Sequence, residues 1–350
     1  MLPMPPRVLP DTLFARNHLE MDDEGVFRLT ARGRSLYQPH PAHMALEDGT
    51  ASEPMRSLAL LRKRLGEIFR DPLACNDAAG RLREMGQQVD ALVRRSPDAC
   101  IAAILITPCP EYTLQHALNA SVLATLLGMQ AQLDADELET VTLAAMTMNI
   151  GTVRLQDLLA GQASPPSTSQ RQLIRLHPIL SSALLREMGV TDPRWHETVQ
   201  THHEEWNGRG YPFLLNQEEI GDAAHIVHLA DIACAKLMPR GYRSRLPARQ
   251  ALAQLYQNRD EQFDVRLVSL LVRELGFYPP GGFVELAGGE LGVVVKRGAS
   301  AQSPLVVLPD APQHILDTTT PEHPIKGAAM PPRINLQQYE ALTRLWENLA

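Results

Sequence analysis

The sequence predicts a mainly α protein: a helical bundle with a small C-terminal β appendage and an N-terminal region of mixed structure. Three observations predict it. Apolar residues recur at helical spacing, punctuated by capping residues, almost without a break from Ser96 to Phe277. From Tyr278 the pattern changes to short β-branched runs separated by Gly-Gly. Before residue 50 the chain is irregular, with prolines at 3, 5, 6, 10, 39 and 41.

The elements follow in order. GVFRLT, early in the chain, suits a short strand. Ser52-Glu53-Pro54 offers a cap and a first-turn proline to MRSLALLRKRLGEIF, which ends near Asp71-Pro72. AAGRLREMGQQVDALVRR is a second helix, stopped by Ser96-Pro97, which in turn starts DACIAAILIT. Pro110 precedes EYTLQHALNASVLATLLGM, and Asp134 with Glu137 forms a capping box for ADELETVTLAAMTMN. After the loop GQASPPSTS, RQLIRL is helical, and His177-Pro178 restarts a helix through ILSSALLREMG. TDPRWHETVQTHHEE, AAHIVHLADIACAKL, RLPARQALAQLYQ and DVRLVSLLVREL complete the bundle. PPGGFVELAGGELGVVVKRG reads as two strands about a Gly-Gly turn and PLVVLPD as a third. A proline-bearing linker (Pro321, Pro324, Pro331, Pro332) leads to an amphipathic helix, LQQYEALTRLWENL. The expected units are 1–95, a strand and loop region with a helical lead-in; 96–277, the bundle; 278–312, the β appendage; and 313–350, the linker and last helix.

Composition narrows the function. With 44% hydrophobic residues in 350, the chain can bury a sizeable core. Its 33 basic and 40 acidic residues leave a formal charge of -7 and no basic stripe, which excludes a nucleic-acid duplex as partner. No run approaches the roughly 18 apolar residues that would cross a bilayer, and MLPMPPRVLP lacks the apolar core of a signal peptide. The expected location is cytoplasmic. The four cysteines (Cys75, Cys100, Cys109, Cys234) form no CxxC pair and suit reduced thiols.

The bundle also carries His116, His177, His202, His203 and Asp231, each on or at the end of an expected helix. Neutral imidazoles suit iron, zinc or manganese, and a carboxylate from another helix can complete such a site. Adjacent residues on a helix point about 100° apart, so His202 and His203 can share an ion only where the helix ends. The following Asn-Gly argues that it does. The alternative is that these histidines are packing residues, which is the reading given to His196, His225 and His228.

His202 to Pro212 reads HHEEWNGRGYP, which closely resembles the loop of HD-GYP domains, metal-dependent phosphodiesterases that hydrolyse cyclic di-GMP. The match extends along the chain: YTLQH (Tyr112 to His116), His177-Pro178, LADIACAKL with Asp231, RGYRSR, and the tail FYPPGGFVELAGGELGVVV all resemble family segments, in family order, over residues 97 to 310. The resemblance implies an HD-type helical bundle, and it implies His116, His177, His202, His203 and Asp231 as metal ligands.

Three departures stand where the family carries H-D-I-G-K. Met148, Asn149 and Thr152 replace a metal-binding histidine, an aspartate that bridges two metals, and a lysine that meets a substrate phosphate. Methionine is a poor ligand for a hard ion, asparagine has no charge to bridge two cations, and threonine supplies no positive charge. Tyr112 stands where some members place a further glutamate, Asn207 where the loop usually has aspartate, and Cys234 where a second acid is common. Metal-dependent hydrolysis of a phosphodiester needs ions to activate water and neutralise developing charge. The expectation is therefore a catalytically degenerate HD-GYP protein in bacterial cyclic di-GMP-linked signalling, working as a binding or protein-interaction module. The alternative is an active or residual phosphodiesterase of cyclic di-GMP or another phosphoester.

The cofactor expectation is one divalent transition metal per chain (iron, manganese or zinc) at His177, His202 and His203, or none; Glu204 or Glu205 could substitute in a fuller site. The resemblance implies a GGDEF-type partner at the loop Trp206, Asn207, Gly208, Arg209, Gly210, Tyr211 and Pro212, with Trp206 and Tyr211 as amphipathic anchors. Cyclic di-GMP is the other expected partner; Arg154, Arg175 and Arg209 are either cations that meet its phosphates or ordinary surface residues. A homo-oligomer is left open, and dimerisation or docking is the role left to the N-terminal region.

Overall fold

The computed structural model describes residues 13–37, 54–107, 111–238, 246–259, 261–330 and 336–346. Helix α1 (Leu13–His18), a hairpin of β1 (Leu19–Met21) and β2 (Phe27–Leu29), and the short α2 (Ala31–Arg34) form the N-terminal unit. The bundle comprises α3 (Met55–Arg70), α4 (Ala78–Arg95), α5 (Pro97–Ile106), α6 (Tyr112–Gln130), α7 (Ala135–Thr147), α8 (Val153–Gly161), α9 (Thr168–Glu187), α10 (Pro193–Thr201), α11 (Asp222–Leu237), α12 (Ala248–Gln257) and α13 (Val265–Leu275). Strands β3 (Phe283–Leu286), β4 (Leu291–Lys296), β5 (Leu305–Leu308), β6 (Ala311–Asp317) and β7 (Ile325–Ala329) make an antiparallel sheet in the order β6-β5-β4-β3-β7, before α14 (Leu336–Thr343). Ser52-Glu53, Cys109, Pro110, the RGYRSR segment, Pro331-Pro332 and the N-terminal prolines lie outside the described residues.

Two helices have no polar face, and they mark the centre. Every residue of α5 from Ala99 to Ile106 is buried, as is α6 from Thr113 to Gly128. A helix apolar all round belongs inside, and α6 packs against both α7 and α11. Gly128 permits the close approach of α6 to α7, since a Cβ there would lie 2.8 Å from Leu138. Several of the polar groups that this burial traps are paired: Ser121 donates to the Thr142 carbonyl at 2.9 Å and Trp195 Nε1 to Thr147 Oγ1 at 2.9 Å. Peripheral helices are one-sided; α13 buries Leu267, Val268, Leu271 and Leu275 along one stripe.

The structure differs from the sequence reading at four places. His177-Pro178 does not restart a helix, because α9 runs through Pro178. α7 and α10 end before Met148 and His202 respectively, shorter than the periodicity implied. α8 was not anticipated; its Thr152 cap makes no side-chain bond, which removes the usual start signal. The sheet continues past residue 312, because Pro321 and Pro324 lie in the connection that carries the chain from β6 to β7, and β7 pairs with β3.

The sheet is tied to the bundle by one cation. Arg297 donates to Asp98 Oδ1 at 2.5 Å and to Glu274 Oε2 at 2.6 Å, joining the strand end to α5 and α13. Gly281 packs against Ala102 with no room for a side chain, since a Cβ would lie 2.8 Å from the Ala102 Cα. Trp346 closes the seam, donating to the Val295 carbonyl at 2.8 Å. Replacing Arg297 by Met leaves the half-buried Asp98 without its cation and the buried Glu274 with only the longer contact to Arg273 at 3.6 Å. The expected loss is about 2–3 kcal/mol, between the values for exposed and fully buried pairs. Urea unfolding measures it, and an unchanged midpoint contradicts the assignment.

Candidate metal centre

The site is assembled by two backbone carbonyls that lack helical donors. Proline has no N–H, so Pro178 leaves the Ile174 carbonyl, four residues earlier, without its usual partner. His177 Nδ1 takes that position and donates to Ile174 O at 2.5 Å. At the end of α10 the last carbonyls are likewise open, and His202 Nδ1 donates to Val199 O at 2.7 Å. A carbonyl can only accept, so both imidazoles carry their proton on Nδ1 and present a bare Nε2.

Those two Nε2 atoms stand 3.2 Å apart. In neutral rings, two lone pairs face each other with no proton between them. Two nitrogens bound tetrahedrally to one ion at roughly 2.0–2.1 Å would be roughly 3.3 Å apart, so the spacing fits a shared cation. Because α10 stops at Thr201, the turn brings His203 alongside, with ring centroids 4.2 Å from His202 and 5.0 Å from His177. One ligand atom from each of the three histidines lies within 4.8 Å of the others, and among the described residues this is the group that converges in this way. Burial keeps the rings neutral, joined at His202 and His203 by the neighbouring imidazoles: His177 falls to about 4, His202 to about 3, and His203 well below the ordinary value. These are deprotonated nitrogen donors suited to a transition metal.

The other half faces them from α6 and α11. His116 Nε2 donates to Asp231 Oδ1 at 2.7 Å, and Asp231 Oδ2 lies 3.9 Å from His203 Nε2. Burial alone raises the Asp231 carboxyl, but the His116 hydrogen bond and the surrounding imidazoles outweigh it and hold it below the usual carboxylate range. Tyr112 stacks on His116 at 5.5 Å. His228 donates from Nδ1 to the His202 carbonyl at 2.8 Å and so braces the turn. His196 pairs with Ser182 and the Val190 carbonyl, while His225 lies under the Trp206 ring at 4.9 Å. Of the three histidines read as packing residues, His228 therefore directly supports the site.

Met148 is fully buried in the core and does not line the cavity. Asn149 and Thr152 do. The cavity, about 290 Å³, is bounded on one side by His116, His177, His203, Tyr211 and Asp231. The opposite wall comes from α8 and the loop after it, including Gln156 and Leu159. α8 is held by Asp157, whose Oδ1 accepts from Thr113 N at 3.0 Å and Thr113 Oγ1 at 2.7 Å at the start of α6. Among the described residues, neither lysine nor arginine lines the cavity. Arg154, Arg175 and Arg209 are exposed and outside it, so of the two readings they are surface residues.

The loop after the histidines turns inward. Tyr211 stacks on His203 at 4.7 Å and its N–H donates to the His203 carbonyl at 3.0 Å. Gly210 is required there, because a Cβ would lie within 2.3–2.5 Å of the backbone of 203–205. Glu204 is buried and accepts from Phe213 N at 2.6 Å and Leu215 N at 3.0 Å. It clamps the loop and is not a substitute ligand; Glu205 is engaged by Gln262 at 3.4 Å. Trp206 and Tyr211 are therefore packed on histidines, contrary to their expected role as outward anchors. Asn207 and Arg209 remain exposed, Gly208 makes the turn with φ 73°, and Pro212 is half-buried.

Comparison with known proteins is consistent with this arrangement. Residues 101–267 match the HD domain family. A cyclic di-GMP phosphodiesterase of Pseudomonas aeruginosa is 27% identical over 274 residues, covering 77% of this chain and 65% of its own length. A cyclic di-GMP phosphodiesterase of Borreliella burgdorferi is 22% identical over 53% of this chain and 48% of its own. The cyclic di-GMP phosphodiesterase response regulator RpfG of Xanthomonas campestris is 29% identical, over 44% and 41%. The chain thus spans less than two thirds of each. The solved structure of Bd1817, an HDG"Y"P protein from Bdellovibrio bacteriovorus, aligns with a TM-score of 0.53 at 17% identity, covering 64% of this chain and 73% of that one, which shows a shared fold. Among the described residues, no helix is long and apolar enough to cross a membrane.

Six buried histidines (His177, His196, His202, His203, His225, His228) have folded pKa values below the ordinary 6.5, with burial the first cause in each. Below pH 6.5 the unfolded chain therefore binds more protons than the folded one. Their stabilisation is complete above about pH 6.5 and is lost as pH falls towards 4. Metal-free protein is expected to show a urea midpoint that drops steadily from pH 7 to pH 5. A flat midpoint over that range contradicts the burial assigned here.

Proposed function

Because residues 101–267 are an HD domain, homologous to cyclic di-GMP phosphodiesterases of the HD-GYP type, we propose that the chain binds cyclic di-GMP at a single-metal centre and acts in cyclic di-GMP-linked signalling. Its hydrolysis of that ligand is slow. The observation that carries the reading is the convergence of His177, His202 and His203, with two Nε2 lone pairs 3.2 Å apart. Iron, manganese or zinc bound there supplies Lewis acidity to a phosphoryl oxygen.

The chain's own residues then set the limits. The three imidazoles hold the ion. Asp231 gives its Oδ1 to His116, and Asn149 stands, uncharged, where the resemblance places a bridging carboxylate. Asn149 carries no charge, Thr152 offers only a hydroxyl, and among the described residues no lysine or arginine lines the cavity to meet a phosphate. Tyr211 and Tyr112 stack on the imidazoles of His203 and His116. Loss of preorganised charge at a reacting centre costs about 10²–10³ in rate per group. Exposed Asn207 and Arg209 are the loop positions that suit a signalling partner, in place of Trp206 and Tyr211.

A second reading, a fully active phosphodiesterase, is favoured by the relatives, which are phosphodiesterases. One experiment separates them. Protein purified without oxygen and supplied with iron or manganese is assayed for cyclic di-GMP binding and turnover beside the Pseudomonas aeruginosa relative. His202→Ala/His203→Ala protein is the control. The proposal expects binding, with turnover about 10²–10³-fold below the relative. Matching turnover contradicts degeneracy, and no binding contradicts the ligand.

A further inference from the structure

The segment that replaces the expected His-Asp pair is not merely deficient; it has acquired a hydrogen-bond donor. Asn149 follows the end of α7, is 2% exposed, and lines the cavity together with His177, His203 and Asp231. Its carbonyl Oδ1 accepts from Gln156 Nε2 at 2.5 Å. Gln156 projects from α8, the far wall of the same cavity. An asparagine amide has one carbonyl and one NH₂ group, so this bond fixes which end remains. Asn149 Nδ2 remains, buried and without a protein partner among the described residues.

The surrounding groups leave it as the outstanding donor. Other backbone groups of the turn have partners: Gly151 N donates to Ser181 Oγ at 3.0 Å, Thr152 N to the Asn149 carbonyl at 3.0 Å, and Tyr37 donates to the Gly151 carbonyl at 3.1 Å. The other unpartnered nitrogen among the cavity residues is His116 Nδ1. His116 already gives its Nε2 proton to Asp231 Oδ1 at 2.7 Å. A buried donor without a partner is rare in folded proteins, and here the open space is the cavity beside three metal-ready imidazoles.

We infer that Asn149, oriented by Gln156, donates a hydrogen bond to an oxygen of a phosphate or phosphoester bound at the three-histidine centre, and is not itself a metal ligand. This rests on the metal reading given above. A carboxylate at 149 would repel the anion; a neutral amide attracts it, and partly replaces the absent lysine. Asn149 and Gln156 are thus positioning residues of a centre adapted to holding an anion.

The test uses the full chain loaded with cobalt(II), with inorganic phosphate as probe and the visible cobalt spectrum as readout. Wild-type protein is expected to bind cobalt and to shift its spectrum saturably with phosphate. Asn149→Leu is expected to bind cobalt with unchanged affinity and stoichiometry but phosphate about tenfold more weakly, the loss of one hydrogen bond to a charged ligand. Gln156→Leu, at a half-buried helical position, is expected to show a loss in the same direction and serves as the variant if Asn149→Leu does not fold. Unchanged phosphate affinity in both variants overturns this assignment alone, as does loss of cobalt from either, which would make Asn149 a ligand. Wild-type protein that binds no cobalt overturns the metal reading and this assignment with it.

Discussion

The site depends on where two protons sit. The Ile174 and Val199 carbonyls accept from the Nδ1 atoms of His177 and His202, and this alone turns both Nε2 lone pairs onto one point. Neither carbonyl would be available in an uninterrupted helix. Pro178 frees one, and the end of α10 frees the other. A proline inside a helix usually costs about 3 kcal/mol; here the lost helical bond is exchanged for a ligand of fixed orientation. Burial completes the arrangement, since it disfavours the protonated rings that would compete with a metal.

The rest of the fold supplies rigidity around that point. α6, buried on all sides, carries His116, and α11 beside it carries Asp231 and the brace His228. α8 is held to the start of α6 through Asp157 and presents Gln156 to the cavity. The N-terminal unit touches both margins. Tyr37 donates to the Gly151 carbonyl, and Phe27 stacks at 6.2 Å on Phe213, just beyond the inward-turned loop. A segment that reads as irregular therefore braces the turn that follows Asn149 and the loop that covers His203.

Much of this was legible. Helical periodicity located the bundle, Asp134 and Glu137 announced the capping box that the structure contains, and the histidine pair before Asn-Gly announced a helix end. What sequence could not show follows from side-chain direction. Trp206 and Tyr211 look like exposed anchors in a glycine-rich loop, yet Gly210 lets the backbone fold onto 203–205 and sends both rings inward. Glu204, next in sequence to His202 and His203, looks like a further ligand, but its carboxylate is consumed by the N–H groups of Phe213 and Leu215. Gln156 carries no sequence signal at all; its role follows from a helix with no cap, placed opposite Asn149 by tertiary packing. The sheet's last strands were missed because their residues are polar and half-exposed, and two prolines mark their turn.

The central claim is that the chain holds one metal ion, at His177, His202 and His203, and does not assemble a pair. Metal content by mass spectrometry, on protein purified without oxygen and equilibrated with excess iron, manganese or zinc, tests it directly. The account predicts about one ion per chain, lost in His202→Ala. Two ions per chain, or one that survives His202→Ala, would contradict it.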